Sequence, residues 1–142
     1  MNFELSEEMR MFKDAIRNFA EKEIAPLINE AEEKESFPIQ LFSRMGAMGY
    51  LCVGYPSEYG GGGLGKTGEC IAMEALGRIC LGIASGIMVQ SGIATSAIYR
   101  HGNDEQKQQY LVPAIKVQKI GAFALTEPNA GSDASAHEAR AT

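Results

Sequence analysis

Hydrophobic residues recur every three or four positions through most of this chain, which is the spacing of an amphipathic helix. Ser6 precedes the first such run and is a residue type that caps helix N-termini, while Glu7 and Glu8 suit the positive end of the helix dipole. Pro26 is expected to end or kink this helix, because proline has no amide hydrogen to donate inside a helix. The apolar positions of the run are Met9, Phe12, Ile16, Phe19 and Ile24.

The same periodicity predicts further helices downstream. The second is expected to open at Pro38, a favoured first-turn position, and to end before Gly49. After a glycine-rich loop, the third runs from about Lys66 to Cys80, and the fourth follows an uncharged stretch that ends near Tyr99. The fifth begins after a cap at Asn103. It ends at about Lys116.

Only one strand is predicted, at Gly121 to Thr126. Pro128 ends it, because proline cannot donate the next hydrogen bond of a ladder. A single strand cannot form a stable sheet. We therefore expect an all-α fold, an N-terminal helical bundle of about five helices in residues 1–118. Residues 119–142 are expected to be a short strand stub of an incomplete domain.

Composition narrows the class of protein. The chain has 142 residues, 45% of them hydrophobic, which is enough for one core. Its net charge of −5 argues against a nucleic acid or an anionic membrane as a partner. The three cysteines have no Cys-x-x-Cys spacing, and the two histidines are isolated, so no metal site is expected. Unpaired cysteines and an acidic N-terminus without a targeting pattern predict a cytoplasmic location.

The most informative segment is Ala124 to Ala136, which follows the predicted strand. Small residues from Asn129 to Ser135 leave backbone amides uncovered there. Such amides can approach an anionic or planar ligand closely and donate hydrogen bonds to it. This turn is therefore a candidate ligand site.

The turn resembles the signature of the acyl-CoA dehydrogenase family: a small residue, an aliphatic, Ser/Thr, Glu, two variable residues, a small residue, then Gly-Ser/Thr-Asp. Residues 124–133 match every fixed position. Three more segments resemble family patterns, in the family's order. They are Pro56–Gly61 (Pro-x-x-Tyr-Gly-Gly), Glu74–Leu76 (Glu-x-Leu) and Gly102–Lys107 (Gly-x-x-x-Gln-Lys). Family members have a helical domain, a middle β-domain and a second helical domain, and the resemblance extends over the first of these and the start of the second.

The resemblance implies an oxidoreductase that uses FAD for α,β-dehydrogenation of acyl-CoA thioesters. It also implies electron-transfer flavoprotein or a similar acceptor as a partner, and a homo-oligomer in full-length members. The family's catalytic glutamate lies beyond Thr142, so no catalytic residue is expected in this chain. The chain alone is accordingly expected to be inactive.

Site residues are also implied by the resemblance. Phe123, Leu125 and Thr126 are expected along the isoalloxazine ring, and Gly131 and Ser132 near the flavin pyrophosphate. Ser132 is further expected to contact the pantetheine arm of CoA.

The family's acyl pocket is lined by the helix that corresponds to the fourth helix here. Ile87, Val89, Gln90 and Ser91 are therefore candidates for binding the acyl chain. Glu127 belongs to the flavin-site motif of the family and is not expected to act as the proton acceptor.

Other interpretations stay open. The chain could be a non-catalytic helical module that binds a protein or an acyl ligand, or a fragment of a related acyl-CoA oxidase or flavin monooxygenase. Gly60–Thr67 satisfies the phosphate-loop pattern, but Pro56–Tyr59 separates it from the preceding apolar residues, which favours a flexible loop. Ile79–Tyr99 is long enough to cross a bilayer, yet its scattered polar residues favour a buried helix and no membrane insertion.

Overall fold

A computed structural model describes residues 4–140 of the chain. Residues 1–3 lie outside the described residues, and so do residues 141 and 142, the last two of the predicted second domain. Residues 1–3 are part of the N-terminus whose acidic residues and lack of a targeting pattern predicted a cytoplasmic location. Helices make up most of residues 7–115, and the longest break is at 48–64, where the only helical piece is a 3₁₀ turn at Ser57–Tyr59.

The first helical path is longer than the sequence predicts. Helix α1 spans Glu7–Phe19, and the Ser6 hydroxyl accepts a hydrogen bond from the Met9 amide at 3.2 Å, which confirms the predicted cap. The path continues through a π-helical turn at Ala20–Ile24 and a 3₁₀ turn at Ala25–Leu27 into α2, Ile28–Glu33. Pro26 lies in the 3₁₀ turn, so it interrupts the α-helical path without ending it.

The remaining helices lie near their predicted positions. They are α3 at Gln40–Ala47, α4 at Gly65–Gly77, α5 at Leu81–Met88, α6 at Ala94–His101, α7 at Asp104–Gln106 and α8 at Val112–Ile115. A π-helical turn at Val89–Ile93 joins α5 to α6, and another at Lys107–Leu111 joins α7 to α8. Within residues 4–115 the path therefore forms five helical segments, and the expected all-α fold is confirmed.

A capping box starts the fifth segment where the sequence predicts it. The Gln106 amide donates to Asn103 Oδ1 at 2.8 Å, and the Asn103 amide donates to Gln106 Oε1 at 2.9 Å. The two side chains thus satisfy amides that have no partner inside the helix.

One core holds these segments together. Helix α4 packs between α1 and α5. The loop at 51–55 is also buried. Large side chains that are almost fully buried come from every segment and fix the bundle. They include Ile16, Ile24, Leu41, Met45, Leu76, Ile87 and Leu111.

The helical path Leu81–His101 is long and apolar enough to cross a membrane. Only 33% of its most apolar window is buried. The prediction of a buried helix therefore holds for one face. On the other face, Leu81 is 74% exposed and Met88 is 42% exposed.

The predicted strand at Gly121–Thr126 does not form. Within the described residues this segment has no ladder partner. The nearest β-type pairing is an isolated antiparallel bridge between Glu127 and Ala130. A strand needs a neighbour for its amides and carbonyls, and no second strand is present among residues 4–140.

Candidate functional site

The family-signature segment folds into a tight turn. The Glu127 amide donates to the Ala130 carbonyl at 2.8 Å, and the Ala130 amide donates back at 3.2 Å. This pair reverses the chain and brings Gly131 beside Thr126: a Cβ on Gly131 would lie 3.9 Å from Thr126 Cγ2. The turn therefore gathers two residues that the sequence placed in one site.

All five flavin-site residues predicted from the sequence are exposed. Phe123 is 55% exposed and Leu125 is 44% exposed, although both are large and apolar. Thr126, Gly131 and Ser132 are exposed as well. Within ten residues the segment thus exposes an aromatic ring, an aliphatic side chain, a hydroxyl and the backbone of a glycine-containing turn. A planar ring with a polar edge and a phosphate needs these groups in close succession.

Glu127 holds the turn to the chain that follows it. Its two carboxylate oxygens accept hydrogen bonds from the amides of Glu138, at 2.8 Å, and Ala139, at 3.1 Å. The turn after it is closed by Asp133, which accepts from the Ser135 amide at 3.1 Å. Through this bracing Glu127 ties the two ends of residues 127–139 together.

An apolar pocket of about 230 Å³ lies on the other side of the α5–α6 path. Ile87 and Ser91, two of the four candidates for binding the acyl chain, are part of its wall. Val89 and Gln90 are not. The other lining residues come from α4, the neighbouring loop and the same helix, and include Glu69, Cys70, Met73, Met88 and Gly92. The α4 contribution was missed because Glu69, Cys70 and Met73 have no motif, only a helical spacing that faces α5.

Two neighbouring residues of the π-helical turn point in different directions. Ser91 Oγ accepts a hydrogen bond from the Cys52 amide at 3.2 Å, next to the pocket. The Gln90 carboxamide instead contacts residues 114–121, and its side chain is 1% exposed. Successive helical residues differ by about 100° in direction, and here Ser91 faces the pocket while Gln90 faces residues 114–121.

The buried thiol of Cys52 has an unusual position. Its backbone lies in the left-handed region, with φ of 56°, and its residue is 1% exposed. Burial raises the pKa of this thiol to about 12, although the hydrogen bond with Ser91 acts in the opposite direction. Cys52 is therefore a neutral core residue and not a nucleophile at neutral pH.

Two of the four family motifs meet in an aromatic cluster. Lys107, from the Gly-x-x-x-Gln-Lys segment, has its Nζ atom 5.9 Å from the ring of Tyr59, from the Pro-x-x-Tyr-Gly-Gly segment. The same atom lies 5.9 Å from the ring of Tyr99. Tyr55 packs edge-on against Tyr99, with ring centroids 5.1 Å apart. This cluster joins the loop before α4 to α6 and to the segment after it.

The phosphate-loop pattern at Gly60–Thr67 has no strand before it. Ser57–Tyr59 forms a 3₁₀ turn, and residues 51–53 form bends and turns. The Lys66 ammonium is paired with the carboxylate of Glu69. The geometry is that of a loop leading into α4.

Comparisons with known proteins agree with the sequence motifs. Residues 6–118 match the family model for the acyl-CoA dehydrogenase N-terminal domain. The chain is 39% identical over 138 residues to the short-chain specific acyl-CoA dehydrogenase of Clostridium acetobutylicum, a match that covers 97% of this chain and 36% of the relative. The chain belongs to the acyl-CoA dehydrogenase family, as the four motifs predicted.

Solved structures show the same fold. A structure of an electron transferring flavoprotein of Acidaminococcus fermentans superposes with a TM-score of 0.90 at 38% identity, over 96% of this chain and 36% of that chain. An acyl-CoA dehydrogenase of Bacillus anthracis complexed with FAD superposes with a TM-score of 0.86 at 34% identity, over 95% and 23% of the two chains. The chain thus spans about a third of the length of most relatives that it matches.

Proposed function

We propose that this chain is the N-terminal segment of an FAD-dependent acyl-CoA dehydrogenase, and that it supplies one wall of the flavin site and part of the acyl pocket. The observation that carries the proposal is the turn at 126–131, which brings Thr126 and Gly131 together directly after the exposed Phe123 and Leu125. A pure interaction module would have no need for this signature.

The residues fit a flavin. The Phe123 and Leu125 side chains offer apolar surface to the ring, and the Thr126 hydroxyl can bond its polar edge. The backbone of Gly131 and Ser132 can approach the pyrophosphate, and Ser132 the pantetheine arm of CoA. FAD, when bound, accepts the β-hydride of the acyl group. The residues of this chain bind and orient the flavin and the acyl-CoA, while the base that removes the α-proton is supplied by a segment outside residues 1–142.

The pocket beside Ile87 and Ser91 is proposed to hold part of the acyl chain. Its wall is almost entirely apolar, and Ile87 is 1% exposed, so the wall is fixed by the core. Gly92 also lines it, and a Cβ on this glycine would meet no atom within 4 Å. Side-chain volume can therefore be added at Gly92 without a clash, so a larger residue there can test whether the pocket holds the acyl chain.

The proposal also includes partners and a location. Acyl-CoA is the proposed substrate, and electron-transfer flavoprotein or a similar acceptor takes the electrons. Family-type homo-oligomers are proposed for a full-length chain only. A cytoplasmic location is supported by three cysteines that are all free in the described chain.

The experiment compares the chain alone with an extended chain. In the extended chain, a chimera, residues 1–142 replace the matching N-terminal portion of the Clostridium acetobutylicum relative. We expect the chain alone to elute from gel filtration without stoichiometric FAD, because one wall leaves the ligand largely exposed. The chimera is expected to retain FAD and to be bleached anaerobically by at least one acyl-CoA. A chimera that retains FAD but is bleached by no acyl-CoA would refute the dehydrogenase proposal.

The acyl pocket has its own test in the chimera. Gly92→Leu is expected to raise KM at least tenfold for the longest acyl-CoA that the chimera accepts, with shorter substrates little affected. Gly77→Leu is the matched control, because Gly77 also has open space around its Cβ position but does not line the pocket. Equal effects of the two substitutions on every chain length would contradict the assignment of the pocket.

A further inference from the structure

The carboxamide of Gln90 is bonded at both ends inside the protein. Nε2 donates to the carbonyl of Ala114 at 2.9 Å and to the carbonyl of Lys119 at 3.1 Å. Oε1 accepts from the amide of Gly121 at 2.6 Å. The residue is 1% exposed, so these bonds replace water that cannot reach the group.

Gly121 docks against the helix at a distance that excludes any side chain. A Cβ at this position would lie 2.8 Å from Ala94 Cβ and 3.4 Å from Gln90 Oε1. The backbone of the segment therefore sits directly on the junction between the π-helical turn and α6. Close approach and hydrogen bonding at one residue are two independent signs of a fixed anchor point.

The connection before Gly121 is also held. The amides of Gln118 and Lys119 both donate to the Pro113 carbonyl, at 2.8 and 3.2 Å. Val117 packs on α3 so closely that a Cβ on Gly46 would lie 2.3 Å from its Cγ2 atom. The chain is thus guided from α8 to Gly121 by a series of contacts with the helices.

Beyond Gly121 this series stops. The hydrogen bonds made by residues 122–140 of the described chain all connect residues of that same segment. Most of these residues are exposed, and Ala130 is the one that is buried. The bond between Gln90 and Gly121 is therefore the last hydrogen bond that ties the signature turn to the helices in residues 4–140.

We infer that Gln90 is a positioning residue, which fixes the start of the flavin-motif segment on the helical domain and so sets where Phe123 to Ser132 lie. It does not line the acyl pocket. The flavin part of this inference rests on the proposed function, whereas the anchoring part does not. Without the carboxamide, the segment after Lys119 would keep its local turn but lose its fixed place on the helices.

Ser91 provides a matched control. It is the adjacent residue in the same π-helical turn, it is 8% exposed, and it also bonds a backbone amide, that of Cys52. Ser91→Ala removes one buried hydrogen bond on the pocket side without changing the groups that hold Gly121. A general loosening of the turn would affect both variants alike.

The first experiment measures amide hydrogen exchange in the 142-residue chain by NMR. Gln90→Met keeps the length of the side chain and removes its polar atoms. In each variant, the change in the exchange rate of the Gly121 amide is divided by the change in rate at core amides such as Leu76. After this division, we expect exchange at Gly121 in Gln90→Met to be at least tenfold faster than in wild type and in Ser91→Ala. Gly121 exchange that rises only in proportion to the core amides would overturn the inference.

Gly121→Ala is the second variant, in case Gln90→Met does not fold. It leaves Gln90 intact but places a methyl group within 2.8 Å of Ala94. The amide of residue 121 is expected to lose protection in the same way, with core amides unchanged. Retained protection in this variant would equally overturn the inference.

The second experiment uses the chimera with FAD. Gln90→Met is expected to raise the Kd for FAD at least tenfold relative to Ser91→Ala, with the visible flavin spectrum also altered. If the wild-type chimera binds FAD and the two variants bind it equally well, the positioning role fails while the proposed function stands. If no chimera binds FAD, the proposed function and the flavin part of the inference fail together, and the exchange experiment alone decides the anchoring part.

Discussion

The buried pair Tyr55 and Thr95 gives a quantitative test of how the loop before α4 is held to α6. The two hydroxyl oxygens are 2.7 Å apart, and Thr95 Oγ1 is also 2.9 Å from the Gln90 carbonyl. A carbonyl can only accept, so the Thr95 hydroxyl donates to Gln90 and the Tyr55 hydroxyl donates to Thr95. Thr95 is 1% exposed and Tyr55 is 5% exposed.

Because Tyr55 donates to Thr95 and Thr95 donates to Gln90, the two single substitutions should lower the free energy of unfolding by different amounts. Thr95→Val leaves the Tyr55 hydroxyl buried without a partner, which costs about 1–3 kcal/mol. Tyr55→Phe leaves the Thr95 hydroxyl still bonded to Gln90, so it costs only about 0.5–1.5 kcal/mol. Combining them removes both members of the bond, and the double variant should be about 1 kcal/mol more stable than the sum of the single effects predicts.

Urea unfolding followed by far-UV circular dichroism measures these free energies, and thermal unfolding checks them, at roughly 4 °C per kcal/mol. We expect Thr95→Val to lower the midpoint more than Tyr55→Phe. A Tyr55→Phe effect as large as that of Thr95→Val, or strictly additive effects in the double variant, would refute this account of the pair.

Three further outcomes are expected. The free energy of unfolding should fall as pH rises above 9, by up to about 1.4 kcal/mol per pH unit. The reason is that the thiol of Cys52 ionises near 9.0 in the unfolded chain, whereas in the folded chain its pKa is about 12. Cys52→Ser should flatten this dependence in the same urea titrations. Thr126→Val in the chimera should weaken FAD binding by roughly 5- to 150-fold, for a lost hydrogen bond of about 1–3 kcal/mol, and unchanged binding measured by flavin fluorescence would contradict its role. Lys66→Ala should leave calorimetric titrations with magnesium and ATP unchanged, whereas micromolar binding that the substitution abolishes would restore the phosphate-loop interpretation.

Helices with strong end signals were predictable from sequence. Ser6 and Asn103 cap their helices as expected, because capping depends on residues within one turn. The π-helical turns were not predictable, since each arises from how a helix packs and not from its own periodicity. The family resemblance placed Gln90 and Ser91 in one pocket because they lie on one helix, whereas the structure turns Gln90 toward Gly121.

The candidate site, too, was predictable from sequence only in part. Local sequence was sufficient to bring Thr126 and Gly131 into one turn, because Pro128 and the small residues dictate a reversal. It was not sufficient to decide whether residues 121–126 form a strand, because strand formation depends on partners distant in sequence. The contribution of Glu69 and Met73 to the apolar pocket likewise depends on which face α4 presents to α5, and that is decided by packing.

The three π-helical turns of the described chain restrict how its length can vary between homologues. Each turn holds more residues than an α-helical turn, and one residue corresponds to a rotation of about 100°. Deletion of a single residue at 89–93 would restore a regular helix, yet it would rotate α6 away from Tyr55 and Gly121. Single-residue gaps in an alignment should therefore avoid these turns, or be compensated nearby by an insertion that restores the same rotation.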